Sequence, residues 1–183
     1  VLGETWEERG ETVDPDSLLA RAERYEAEVP SGIGVLVASV DVQGDRLECA
    51  VKGYGASEES WLVAISQFHG DPGRDQVWLD LDRFLRTEFI HESGQKVPIS
   101  CVAVDSGGHH SEQVYRFCRA RIDRRVFAVR GGSERGKPLV GRPSNHNRYR
   151  AKLFTLCVDT GKEIVYSRLR IGSQGPGYCH LPE

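Results

Sequence analysis

Two apolar runs that end on an aspartate constrain this chain more than any other feature: Gly34-Val35-Leu36-Val37-Ala38-Ser39-Val40-Asp41 and Ile99-Ser100-Cys101-Val102-Ala103-Val104-Asp105. Runs this apolar read as strands buried on both faces of a sheet. A carboxylate at the end of such a strand is costly unless something neutralises it. The second run continues into Ser106-Gly107-Gly108-His109-His110. If the two strands lie side by side, their carboxylates meet at one sheet edge, where like charges share a proton or bind a cation.

The pattern around these runs predicts their setting. Val35 to Val42, Arg46 to Tyr54 and Ser60 to Phe68 read as three strands joined by short turns, an antiparallel meander. Asp75 to Arg86 carries Val77, Trp78, Leu81, Phe84 and Leu85 at helical spacing. Val97 to Asp105 is a fourth strand, Ser111 to Arg119 a helix capped by Ser111, and Val126 to Val129 a short strand. A basic loop from Arg130 to Arg150, a strand from Leu153 to Val158 and a helix from Thr160 to Leu169 follow. A meander followed by alternating helices and strands predicts an α/β fold. Its mixed sheet, antiparallel meander plus parallel strands with helices on both faces, is the topology of ribonuclease H-like domains. Residues 1–30 read as an acidic connecting arm with a helix over Pro15 to Ala27, and 31–183 as the domain itself.

At 183 residues and 39% hydrophobic content the chain suits one large domain with a real core. It has no signal-peptide pattern and no apolar stretch near the roughly 18 residues of a membrane span. An intracellular, reduced setting without membrane contact is expected. The absence of methionine suggests a piece of a longer protein. Cys49, Cys101, Cys118, Cys157 and Cys179 are widely spaced and form no CxxC pair, so reduced thiols are expected rather than a disulfide framework or a zinc site.

Charge is strongly segregated. Arg116 to Lys152 holds twelve Arg or Lys against Asp123 and Glu134, a local balance of +10 that leaves −13 on the rest of a chain whose net charge is −3. Such a patch suits a polyanion, and arginine forks suit phosphate. Arg124, Arg125, Arg130, Arg135, Lys137, Arg142, Arg148 and Arg150 are the candidate contacts to a nucleic-acid backbone. Gly131 to Lys137 resembles a nucleotide phosphate loop, but Pro138 stands where Ser or Thr is required and no periodic helix follows, which excludes an ATP site.

Asp41 and Asp105 are therefore the candidate catalytic, metal-ligating pair. Oxygen-only ligation favours Mg2+ or Mn2+ over zinc. Two such ions roughly 4 Å apart activate water and stabilise the leaving oxygen in phosphodiester cleavage. The competing reading makes both aspartates turn caps, Asp41 accepting from the backbone of Gln43 and Gly44, and Asp105 from that of Gly107 and Gly108. His109 and His110 are candidate accessory groups. Asp159 ends the run Leu156-Cys157-Val158 and is a further metal candidate, with an N-cap as its alternative role.

Several stretches resemble the nuclease domain of lambda-type phage terminase large subunits. They are Val37 to Glu48, Gly53-Tyr54-Gly55 with Glu58-Glu59-Ser60-Trp61, Ala103 to His110, Val114 to Cys118, Val140 to Ser144, Val158 to Glu163 and Gly175 to Tyr178. The resemblance implies a ribonuclease H-like endonuclease that cuts concatemeric double-stranded DNA during packaging, in the host cytoplasm. The partners it implies are the terminase ATPase domain, the small terminase subunit and the portal. It places Asp41 and Asp105 as the first two acids of a metal site. The third is expected on a later helix that these residues do not contain, or Asp159 takes its part. Two other functions compete: a non-catalytic module binding DNA or the portal, and a ribonuclease H-like hydrolase acting on RNA.

Overall fold

The computed structural model describes residues 14–133 and 136–183. Eight strands form one mixed sheet: β1 (Val35–Val42), β2 (Arg46–Tyr54), β3 (Ser60–His69), β4 (Glu88–Ile90), β5 (Lys96–Asp105), β6 (Val126–Gly132), β7 (Leu153–Cys157) and β8 (Cys179–His180). Their order is β7-β6-β5-β1-β2-β3-β8, with β4 joined to the start of β5. β1, β2 and β3 are the expected antiparallel meander. β5 runs parallel to β1 on its other side, followed by parallel β6 and β7. Among the described residues the α-helices are α1 (Pro15–Leu19), α2 (Asp75–Phe84), α3 (Ser111–Arg119) and α4 (Val158–Leu169).

Strand periodicity sets the two faces. Leu36, Ala38 and Val40 of β1, Leu47, Cys49 and Val51 of β2, Val102 and Val104 of β5, and Val126 and Ala128 of β6 are all buried. They share one core with Val77, Trp78 and Leu81 of α2 and Val114, Phe117 and Cys118 of α3. The opposite face is not buried as expected: Val35, Ser39 and Asp41 are exposed, while Val37, Cys101, Ala103 and Asp105 are half-buried. α4 is the helix on that side, since a Cβ added at Gly131, on the outward parity of β6, would stand 3.0 Å from Val158 Cγ2. Its far end meets the β2–β3 connection through an Arg168–Glu58 ion pair. α4 buries none of its own residues, so it screens the face without sealing it.

The arm differs from expectation. Asp14 caps α1 by accepting from the amides of Asp16 and Ser17, but the helix stops at Leu19 rather than Ala27. A helix this short has little stability of its own, and tertiary pairing wins. Glu23 bridges to Pro182 and Val29 to His91, and the Arg21 guanidinium donates to the carbonyls of Leu169, Ile171 and Cys179. Val29 is fully buried, so the last part of the arm belongs to the core. The first part, residues 1–13, lies outside the described residues.

At β8 the tail closes on the arm. The buried His180 ring stacks on Trp61 at 4.5 Å, with Glu23 at Nδ1 and Glu59 Oε1 2.9 Å from Nε2. β4 and β8, absent from the sequence reading, are three and two residues long and carry no readable alternation. β6 extends to Gly132, so the basic loop begins later than Arg130. Its return leg pairs with β7 through Val140–Leu156 and Ser144–Leu153 bridges. All five cysteines are free thiols. Among the described residues no helix is long and apolar enough to cross a membrane.

Candidate functional site: two carboxylates at one sheet edge

The parallel register places the two aspartates side by side. Val37 pairs with Cys101, Ser39 with Ala103 and Val40 with Val104, so Asp41 and Asp105 are the next residues along adjacent strands. Neighbouring strands lie about 4.8 Å apart. Both aspartates have the parity of the open face, opposite the buried Val40 and Val104. Burial is therefore not what makes their charge costly; their closeness to one another is.

Each carboxylate has one donor among the described residues. The Gln43 side-chain amide donates to Asp41 Oδ2, in place of the backbone amides expected there. The Gly107 amide donates to Asp105 Oδ1 at 3.0 Å, as the turn reading proposed. Ser106 secures that turn to β6, its amide and hydroxyl both donating to the Val129 carbonyl at 2.8 Å. Neither donor carries charge, so the negative charge of each aspartate is not offset by these bonds. This suits Mg2+ or Mn2+, which take one or two carboxylates and complete their shell with water and substrate phosphate. Among the described residues no third His, Cys, Asp or Glu joins the pair to make a three-ligand cluster.

The other candidates lie around this edge. Asp159 is in the first turn of α4, which starts two residues earlier than a cap at Asp159 requires, with Cys157 as N-cap. There it favours the helix dipole and lines a cleft with Gly131, Gly132 and Ser133. His110, not Ser111, is the N-cap of α3, and His109 beside it is exposed.

The basic stretch divides. Arg130 follows Val129, the β6 partner of Asp105, and so lies near the acid edge. Lys137 lies at the start of α4, its carbonyl accepting from the Thr160 hydroxyl. Arg142 flanks β7, while exposed Arg148 reaches Glu112 at 4.0 Å and lies over Tyr149. Arg124 and Arg125 precede β6, at the opposite end of the sheet from Asp105. Arg124 joins Arg121 on Asp82, each at 2.6 Å. Burial disfavours the Asp82 anion, but hydrogen bonds and charge from these two arginines outweigh it and hold the carboxyl well below its usual range. Arg125 and Arg150 are exposed, and Arg135 lies outside the described residues.

Sequence reasoning found the hairpin after Asp41 but missed the charge pairs on it. Glu48 is the antiparallel partner of Asp41, and its Oε1 accepts from Arg46 Nε at 2.7 Å. Arg46 also binds Asp45 at 2.8 Å. The alternating charges of Asp45-Arg46-Leu47-Glu48 were the available signal, because alternate residues of a strand share a face.

The family model for the terminase large subunit gpA endonuclease domain matches residues 1–183. The chain belongs to that family. It is 34% identical over 187 residues to the terminase large subunit of Escherichia phage lambda, covering 100% of this chain and 29% of the relative. With the terminase large subunit of Enterobacteria phage P21 it shares 36% identity over 171 residues, 93% of this chain and 27% of the relative. The chain thus spans under a third of the length of these relatives. No solved structure matches it. The family is one of terminase nuclease domains.

Proposed function

We propose that this chain is a metal-dependent endonuclease domain with a ribonuclease H-like sheet, cutting concatemeric double-stranded DNA by two-metal phosphodiester hydrolysis as part of a packaging motor. The observation that carries this reading is the pairing of Asp41 and Asp105 at the ends of adjacent parallel strands, each with a neutral donor and an open oxygen. The family assignment and the sheet order, a meander flanked on the β1 side by parallel strands, support it.

Asp41 and Asp105 would hold the cation, Mg2+ or Mn2+. A divalent ion there supplies a water acidified toward neutral pH and charge stabilisation at the phosphate. The Gly107 amide orients Asp105, and Ser106 holds the Gly107 turn against β6. Arg130 lies at the same end of the sheet with the parity of the other face, and would meet the DNA backbone around that edge rather than at the carboxylates themselves. Arg125, Lys137, Arg142, Arg148 and Arg150 extend the basic surface along the duplex, which predicts steep salt dependence of binding. Arg124, committed to Asp82, contributes to the fold instead. Asp159 and the histidines stand by as groups that shape water near the edge. In the longer relatives' setting, the partners would be an ATPase domain, a small terminase subunit and the portal, and the compartment the host cytoplasm.

Plasmid cleavage in Mn2+ or Mg2+ tests the assignment, with Asp41→Ala and Asp105→Ala each expected to abolish cutting. Undiminished cutting by either variant overturns it. Among the described residues two acids rather than three meet at this edge, which favours one second reading, a DNA- or portal-binding module without catalysis. That module would bind DNA yet show no Mn2+ binding that disappears in Asp41→Asn. Cleavage of RNA with indifference to duplex DNA would point instead to a ribonuclease.

A further inference from the structure

We propose that Gln43 is a positioning residue for Asp41, fixing the carboxylate for a divalent cation without cancelling its charge. The inference rests on the metal reading above. Three observations carry it. First, the Gln43 amide is the sole donor to Asp41 among the described residues, and it engages Oδ2. Second, Gln43 is itself anchored: its backbone amide donates to the Arg46 carbonyl at 3.0 Å, closing the β1–β2 hairpin, so its side chain starts from a fixed point. Third, the cation nearest in the sequence is turned elsewhere, since Arg46 is bound by Glu48 at 2.7 Å and by Asp45 at 2.8 Å.

The chemistry explains why an amide suits this position. An arginine on Asp41 would restrain the carboxylate equally well, but its positive charge would compete with the metal for the same anion. An exposed aspartate with no donor would keep its full charge and sample several rotamers, and ordering it would weaken metal binding. A neutral donor fixes the rotamer and leaves the charge intact. Asp45 and Glu48 then have a role of their own, keeping Arg46 away from the aspartate next to it. Groups that orient a metal ligand in this way commonly change metal affinity about tenfold or more when removed.

The test is a Mn2+ titration of the 183-residue chain, followed by the electron paramagnetic resonance of free Mn2+, in wild type, Gln43→Met and Asp41→Asn. Methionine keeps the length of the side chain and the backbone bond to Arg46 while removing the amide. Gln43→Met is expected to weaken Mn2+ binding about tenfold with the melting temperature unchanged. In plasmid cleavage the half-maximal Mn2+ concentration should rise by the same factor, and the rate at saturating Mn2+ should stay within about twofold. Mn2+ binding unchanged in Gln43→Met but lost in Asp41→Asn overturns the role of Gln43 alone. A wild-type chain that binds no Mn2+, or Asp41→Asn that binds as well as wild type, overturns the metal reading and this inference with it. A fall in melting temperature with the Mn2+ half-point unmoved would make Gln43 a hairpin residue only, which also overturns the proposal.

Discussion

At the start of β3, Glu23 and Glu59 close on the buried ring of His180; at the far end of β1, Asp41 faces solvent with a neutral amide as its partner. The same functional group serves both places, and its surroundings differ in kind. The tail clasp joins carboxylates of the arm and of the β2–β3 connection to β8, which lies 157 and 121 residues further along the chain. Asp82 belongs with them, bound by Arg121 and Arg124 and only 14% exposed. Carboxylates that hold a fold together sit against cations or buried rings, whereas the strand-end pair is left open. On the metal reading proposed above, a site that accepts a cation keeps its charge unpaired by the protein.

This comparison predicts a ranking of stability effects. The largest belongs to His180→Ala, which removes a stacked ring from Trp61 and leaves Glu23 and Glu59 with only the Gln174 side-chain amide and the Gly175 amide. A loss of about 3 kcal/mol is expected from urea unfolding. Mn2+ binding at Asp41 and Asp105 should be unaffected, because the clasp lies at the other end of the sheet. If His180→Ala unfolds no more readily than wild type, the clasp is not a structural element and the contrast fails.

Asp82→Asn comes next, at about 2 kcal/mol, reduced from a fully buried pair by the exposure of its arginines. This contribution depends on pH with a definite sign. Asp82 titrates lower in the folded chain than in the unfolded one. Its stabilisation is therefore present above the ordinary carboxylate pKa of about 4 and is lost as pH falls through the folded value. Unfolding of wild type and Asp82→Asn should differ most at neutral pH and converge in acid. A gap that stays constant down to pH 3 would show that the arginines do not set the Asp82 ionisation.

The contrast also explains which parts of the molecule were legible beforehand. Asp41 and Asp105 could be found because the strand period of two carries through Val37-Ser39-Asp41 and Cys101-Ala103-Asp105, and a parallel neighbour keeps that parity. The sheet could be read for the same reason. What escaped was the open face: an apolar run does not say whether a second layer covers it, and α4 passes over it without burying a residue. The clasp was invisible because Glu23 and His180 are 157 residues apart and β8 is too short to alternate. Arg124 was assigned to DNA because charge counting cannot see Asp82, which lies 42 residues earlier in sequence. Gln43 passed unnoticed because the turn after Asp41 was credited to backbone donors.

The smallest stability effect is expected at the strand-end pair itself, and it is the sharpest test of the comparison. Asp41→Asn removes a charge from an exposed position beside another carboxylate, so relief of repulsion offsets the altered bond with Gln43. Its unfolding free energy should stay within about 0.5 kcal/mol of wild type, while Mn2+ binding and plasmid cleavage are lost. Asp105→Asn should behave alike, with the Gly107 amide still able to donate to the side-chain carbonyl. Were either variant to destabilise the chain as much as Asp82→Asn while leaving Mn2+ binding intact, the strand-end aspartates would be turn caps. In that case the open oxygens at this edge would be a consequence of solvent exposure alone, and the catalytic reading would lose its central observation.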